Sequence, residues 1–144
     1  MILITILLAV TTNCGEATTS KPPPGPWIGS AGNVLIGESN NSDHLPDQLW
    51  VGFNDNMWQQ FEALRSKHGD SGNFWIGGHV VVNGQSSVGF YFDPKTAVVG
   101  EVTAEGAQTA LDFIKADPAT FTKSGIGDPP IWYVPAVIKH AIAR

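Results

Sequence analysis

Serine, histidine and aspartate are the residue types in this sequence that could perform catalysis, because together they can activate a hydroxyl nucleophile. His79 and Asp93 lie on either side of Ser86 and Ser87 in the chain. Neither serine has glycine both two residues before it and two residues after it, so the nucleophile-elbow spacing is absent. A hydrolase whose site assembles from His79, Asp93 and a serine on folding stays an alternative, and the sequence favours a protein without catalytic activity.

Metal-binding residues are equally sparse. The four histidines and the single cysteine are too far apart in sequence to form a zinc motif. The oxygen-rich segments 54–56 and 70–73 do not follow the ligand spacing of an EF-hand calcium loop, and turn or cap chemistry explains both. We therefore expect no cofactor, and calcium is the metal that these segments leave open for an exported protein.

The N-terminus indicates where the protein acts. Residues 2–10 form an uninterrupted apolar run of signal-peptide length, too short to span a bilayer. No basic residue precedes the run, so a buried N-terminal strand is the competing interpretation. The polar residues that follow favour export, with residues 1–17 as a signal peptide.

Cys14, the only cysteine, lies where the apolar run ends. Its position resembles that of a bacterial lipoprotein, in which this cysteine is lipidated and becomes the mature N-terminus, so that the signal ends at Asn13. Residues 11–13 match poorly to the small apolar residues expected there, and ordinary cleavage near Gly15 and Ala17 is the alternative. The protein is expected to be secreted or lipid-anchored at the cell surface, with a membrane contact only through such a lipid.

A single domain is expected over residues 31–144, after a proline- and glycine-rich tether over residues 18–30. With one cysteine no intramolecular disulfide can form, so a hydrophobic core must hold the domain. The 13 acidic and 8 basic residues give a formal net charge of −5. Nucleic-acid binding is not expected, because it needs clustered lysine and arginine. Residues 40–42 form a glycosylation sequon, which matters only in a eukaryote.

Short strands and one clear helix are predicted for the first half of the domain. Residues 33–37 and 48–53 are typical of strands, and a helix follows that Asn54 or Asp55 caps and Gly69 ends. Residues 74–82 and 88–92 alternate as two strands around Asn83-Gly84, which predicts a β-hairpin whose loop can be wider than two residues.

The second half is predicted to hold more helix than strand. Apolar spacing indicates a helix from Thr103 to Ala116, and residues 131–134 are typical of a strand. Pro135 then opens a predicted short helix to Ala143. The expected fold is α+β, a small antiparallel sheet with two or three helices packed mainly on one face.

One stretch carries a family resemblance. The strand with Gly77-Gly78, the strand end with Phe90, Asp93 and Pro94, and the following Glu101 and Glu105 are similar to the N-terminal domain of the BP-seventy-four-type protein of social amoebae. That domain also occurs alone in small exported bacterial proteins. The resemblance covers residues 48–117. The chain departs from the pattern at Val88, where tryptophan is expected, and at residues 107–108, where a Cys-Asp pair is expected.

The resemblance implies an exported or surface α+β module and transfers no catalytic residue. It also implies that the second helix begins near Lys95 or Thr96, after Asp93 has capped it and Pro94 has started it. Glu101 and Glu105 would then share one helical face, and their mutual repulsion makes them candidate ligands for a cation or contacts for a basic partner. Two solvated glutamates are the simpler interpretation.

Tryptophan is unusually frequent for a chain of this length, with five residues. Trp50, Trp58 and Trp75 lie in periodic apolar elements and are expected in the core. Trp27 and Trp132 follow proline-rich stretches, which makes them the candidates for exposed binding residues, although packing competes with that role.

The sequence therefore predicts an exported, non-catalytic binding module for a protein or glycan partner at the cell envelope or outside the cell. A small secreted hydrolase is one alternative. A small protease inhibitor is another, and it would present the loop formed by residues 124–130.

Overall fold

The computed structural model describes residues 21–38, 48–69, 74–101, 107–123 and 129–144. Its sheet is built around one long strand, β8 (Trp132–Ala143), which pairs with different neighbours along its length. The antiparallel order is β2 (Gln48–Phe53), β1 (Gly32–Gly37), β8, β3 (Phe74–Gly78) and β6 (Val98–Gly100), and a short β7 (Ala107–Gln108) runs parallel to the start of β8. The predicted α+β class is confirmed.

Strand β8 replaces the helix that was predicted from Pro135 to Ala143, and that prediction was wrong. From Val134 to Lys139 the burial alternates, with Val134, Ala136 and Ile138 buried and the residues between and after them partly exposed, which is the period of two that a strand requires. Where Pro135 pairs with Trp75 of β3, the other edge of β8 has no strand partner in the described chain, so the missing N–H of proline interrupts no second ladder.

The two halves of β8 have different pairing partners. Its first half pairs with β3 and its second half pairs with β1. The register with β1 shifts between Leu35 and Ile36, where Lys139 is the extra residue of a bulge. Strand β8 thereby joins the β1–β2 pair to the β3–β6 pair, and no other described strand pairs with a member of each.

The strands and helix predicted for the first half of the domain are confirmed. Helix α1 (Asp55–His68) begins after Asn54, whose Oδ1 accepts a hydrogen bond from the Met57 N–H at 2.9 Å. It ends at Gly69, where φ is +74° and the N–H donates to the Arg65 carbonyl at 2.7 Å.

The predicted hairpin is also present, with a break that the sequence pattern did not show. Strands β4 (Val80–Val82) and β5 (Phe90–Phe92) pair around a seven-residue loop, residues 83–89, which is the wider alternative. The run 74–82 is split at Gly78, which has a φ of +156°. Its first part belongs to the main sheet and its second part to the hairpin.

The second predicted helix is shorter than either estimate. Helix α2 (Leu111–Ala116) is followed by a 3₁₀ helix (Pro118–Thr122). Residues 95–100 are not helical, because Val98 and Val99 are β-branched and pair in β6 with β3. Asp93 therefore caps no helix. Its carboxylate accepts from the Lys95 N–H at 3.0 Å in a turn.

The core has two unequal parts. The larger one lies between the sheet and the helices, as predicted, and contains Trp58 and Phe61 of α1 and Leu111 and Ile114 of α2. A smaller cluster of Trp27, Leu35 and Trp50 is separate from it. Trp50 is 5% exposed, and it belongs to this smaller cluster. No helix in the described part of the chain is long and apolar enough to cross a membrane.

We expect Gly77→Ala to destabilise the protein by about 3 kcal/mol or more, because a Cβ there would overlap the backbone carbonyl of Trp132 on β8. Neither strand can retreat, since β3 is paired on both sides. Urea unfolding measures the change in the free energy of unfolding.

Gly84→Ala is the matched control, because the Cβ added in that loop meets no atom within 4 Å. We expect its effect to stay within about 0.5 kcal/mol. Equal effects of the two substitutions would contradict the close packing of β3 on β8.

Candidate functional site

A cavity of about 460 Å³ opens beside the smaller core cluster. We call it the aromatic pocket, because the rings of Trp27, Trp50 and Tyr91 line it. Leu49 also borders the cavity, and the hairpin loop contributes Ser86 and Ser87. The remaining wall comes from the N-terminal segment, with Lys21 and the proline segment, residues 22–24.

Strand alternation places two of the three rings. Trp50 is next to Val51, which lies in the larger core, so the two side chains leave β2 on opposite faces. Tyr91 is flanked by Phe90 and Phe92, which are fully buried in the larger core, and therefore points the other way from β5. The main sheet and the hairpin thus each present one aromatic residue to the pocket.

Trp27 connects the N-terminal segment to these rings. Its side chain is 5% exposed and lies edge-on to Tyr91, with ring centroids 5.9 Å apart at 67°. The indole Nε1–H donates to the carbonyl oxygen of Pro23 at 2.9 Å. Trp27 is therefore a wall of the pocket, and its predicted role as an exposed anchor needs correction, because its ring is held by the core cluster.

The chain just after Trp27 is held as well, so the end of the segment predicted as a tether over residues 18–30 packs on the domain. The Gly29 N–H donates to Asn33 Oδ1 at 2.8 Å. Gly29 and Gly52 approach so closely that a Cβ on either would overlap the other's backbone. Arg144 adds hydrogen bonds to this region, from its N–H to the Ala31 carbonyl at 2.8 Å and from Nη1 to the Gly29 carbonyl at 3.3 Å.

The polar groups of the aromatic pocket are few and mostly engaged. Ser86 Oγ donates to the Phe90 carbonyl, and Ser87 Oγ donates to the Gln48 carbonyl at 3.2 Å. Lys21 is the one charged residue that lines the cavity among those described. The pocket can hold a ring or an apolar chain against aromatic faces, and its described lining offers no carboxylate or imidazole for proton transfer.

The structure does not assemble the hydrolase site in the described chain. His79 and Asp93 meet through the backbone, where the His79 carbonyl accepts from the Asp93 N–H at 2.9 Å. The carboxylate of Asp93 accepts from the backbone N–H of Lys95, and the hydroxyls of Ser86 and Ser87 donate to backbone carbonyls. No hydrogen bond links the imidazole of His79 to a serine or to Asp93 in the residues that the structure describes.

Glu101 follows β6 and contacts two basic side chains. Its carboxylate lies 3.3 Å from His68 Nε2 and 3.3 Å from Lys67 Nζ. The hydrogen bonds from His68 and Lys67, with the positive charge of Lys67, lower the pKa of the Glu101 carboxyl from its ordinary value of 4.5. Glu101 therefore already has two partners from α1, the Lys67 ammonium and the His68 imidazole.

The proposed pairing of Glu101 with Glu105 on one helical face was wrong, because Glu101 lies at the end of a strand. Glu105 lies outside the described residues, as does Cys14. Within the described ranges, no group of three or more histidine, cysteine, aspartate or glutamate side chains could hold a metal ion.

The other candidate residues are placed apart from the aromatic pocket. Trp132 is half-buried and packs edge-on against Phe121, with ring centroids 4.8 Å apart. Phe90 is a core residue, and Pro94 lies in the turn after Asp93. Sequence reasoning missed Tyr91, although its place between two phenylalanines in an alternating strand was a usable signal.

We expect Glu101→Gln to lower the stability of the protein slightly at pH 7. The carboxyl pKa is lowered in the folded state, so the ionised form stabilises the fold above pH 4.5 and loses this contribution as the pH falls through the folded-state pKa. The difference from the native protein should disappear well below pH 4.5, and salt should reduce it. Urea unfolding at several pH values measures it.

Glu62→Gln is the matched control, because it makes the same change at an exposed position of α1. A stability difference for Glu101→Gln that is independent of pH would contradict the ion-pair explanation.

Comparison with known proteins adds no family to this geometry. The chain matches no family model, no curated protein and no solved structure. Its function must therefore be argued from the aromatic pocket itself.

Proposed function

We propose that this protein is an exported, non-catalytic binding module, and that the aromatic pocket is its binding site. The observation that supports this is the cavity of about 460 Å³ walled by Trp27, Trp50 and Tyr91. The ligand is a part of a protein or glycan partner that presents a flat or ring-shaped apolar surface.

The size and lining of the pocket support binding. Ligand sites are typically cavities of about 300–1,000 Å³ with mostly apolar walls and a few polar groups. Aromatic side chains bury a large area for the loss of only two torsional freedoms, which makes them efficient contact residues. Trp27 and Trp50 are already held by packing, so little ordering remains to oppose binding.

The absence of catalysis is part of the proposal. In the described chain, no hydrogen bond joins the side chains of His79, Asp93 and the two hairpin serines to one another. The Asp93 carboxylate accepts from the Lys95 N–H, and both serine hydroxyls donate to backbone carbonyls. The protease-inhibitor alternative has no better support, because residues 124–128 of its loop lie outside the described residues and Pro130 is buried.

The site of action belongs to the same proposal. The apolar run of residues 2–10 and the position of Cys14 favour a secreted or lipid-anchored protein at the cell envelope. The resemblance to the BP-seventy-four-type domain that we propose from the sequence pattern agrees with the same location and adds no ligand. The net charge of −5 gives no reason to expect a nucleic-acid partner.

We expect a panel of soluble oligosaccharides and short peptides to include ligands that change the tryptophan emission of the protein, because Trp27 and Trp50 line the pocket. Tyr91→Ala should weaken such binding by about tenfold, since it removes a ring worth about 1–2 kcal/mol of contact. Isothermal titration calorimetry measures the affinity.

Phe113→Ala is the matched control, because Phe113 is an aromatic residue that is 66% exposed and outside the pocket. It should change the affinity by less than about twofold. Binding that Tyr91→Ala leaves unchanged would contradict the proposed site, and hydrolysis of a probe would contradict the non-catalytic assignment.

Export is tested by the intact mass of the chain expressed in a bacterium with and without globomycin. A diacylglyceryl-modified species that begins at Cys14 and disappears with the inhibitor is expected for a lipoprotein. An unmodified chain outside the cells that begins after Ala17 would support the secreted form. A full-length chain retained in the cytoplasm would contradict export.

A further inference from the structure

We propose that the aromatic pocket binds a proline-rich segment of a partner protein in the polyproline II conformation. The inference rests on the proposed function and names its ligand class. It is drawn from the contacts that the pocket already makes with this chain's own prolines.

The proline segment shows which chemistry the pocket accepts. Prolines 22, 23 and 24 line the cavity together with Trp27, Trp50 and Tyr91. The Trp27 indole donates to the Pro23 carbonyl at 2.9 Å. Grooves that recognise polyproline II segments combine aromatic walls with indole or phenol donors to peptide carbonyls in this way. One such interaction is therefore already made within the molecule.

The lining suits proline better than it suits a sugar. A sugar hydroxyl needs hydrogen-bond partners when it is buried, and besides Lys21 and the Tyr91 hydroxyl the described lining offers two serines whose hydroxyls already donate to backbone carbonyls. A proline-rich segment has no N–H at its prolines, so it brings rings and carbonyl acceptors only. Apolar walls and a few donors satisfy that demand.

Tyr91 supplies a second donor for such a segment. It lines the pocket, is half-buried, and its hydroxyl makes no hydrogen bond to a described residue. A tyrosine hydroxyl donates readily to a peptide carbonyl. The ring packs against Trp27 at a centroid distance of 5.9 Å, so its position is set before any ligand arrives.

Pre-organisation of the ligand strengthens the argument. A polyproline II segment has three residues per turn and keeps this shape in solution, so it loses little conformational freedom on binding. The incoming segment would pack in the pocket against Tyr91 and beside the proline segment, both of which line it.

The test titrates the folded chain with the acetylated, amidated hexaproline peptide and follows calorimetry and backbone amide shifts by NMR. We expect hexaproline to bind at least about tenfold more tightly than a glycine-serine hexapeptide of the same length. Tyr91→Phe should weaken it by several-fold through the lost hydroxyl, and Tyr91→Ala should weaken it more. Phe113→Ala should leave the affinity unchanged, and equal unfolding midpoints establish that the variants fold.

The outcomes separate this inference from the proposed function. If cellohexaose binds and Tyr91→Ala abolishes that binding while hexaproline has no effect, the binding module stands and the proline-rich ligand is wrong. If neither probe shifts the amides of residues 49, 50 and 91, both proposals fail. A concentration-dependent dimer that hexaproline dissociates would assign the site to the proline segment of a second copy and overturn the partner-protein ligand.

Discussion

The pairing of β8 with both β1 and β3 is the constraint on which the rest of this structure depends. One half of the strand pairs with β1, which pairs in turn with β2, and the other half pairs with β3, which pairs with β6. Because Gly77 has no side chain that would overlap the β8 backbone, β3 pairs closely with β8, and both parts of the sheet share that strand. The helices cover one face of it, and the aromatic pocket lies beside the small cluster on Leu35 and Trp50.

The two clusters have different physical roles. The larger core is closed by α1 and α2 and carries the largest fully buried side chains. The smaller cluster of Trp27, Leu35 and Trp50 has Ile28, Tyr91 and Ile142 packed against it and no helix residue among its described neighbours, and a cavity adjoins it. Helices close the larger core, whereas a cavity lined in part by the proline segment adjoins the smaller cluster.

Local signals predicted the elements whose ends are encoded nearby. The cap by Asn54, the stop at Gly69 and the hairpin turn at Asn83 were all readable, because each depends on a few neighbouring residues. Strand β8 was predicted only at its start, over residues 131–134, because Pro135 suggests a helix start until the pairing partners on both sides are known. The aromatic pocket could not be predicted from the sequence for a similar reason, since Trp27, Trp50 and Tyr91 come together only through long-range packing.

The order of the elements along the chain has a consequence for biosynthesis. The strand at the centre of the sheet follows all the other described strands in sequence, and Arg144 after it ties down Gly29 and Ala31 near the start of the domain. A chain made from its N-terminus cannot complete this sheet until residues 132–144 have emerged. The central ladders of the sheet, between β8 and its partners β1 and β3, therefore form only after the last residues of the domain have been made.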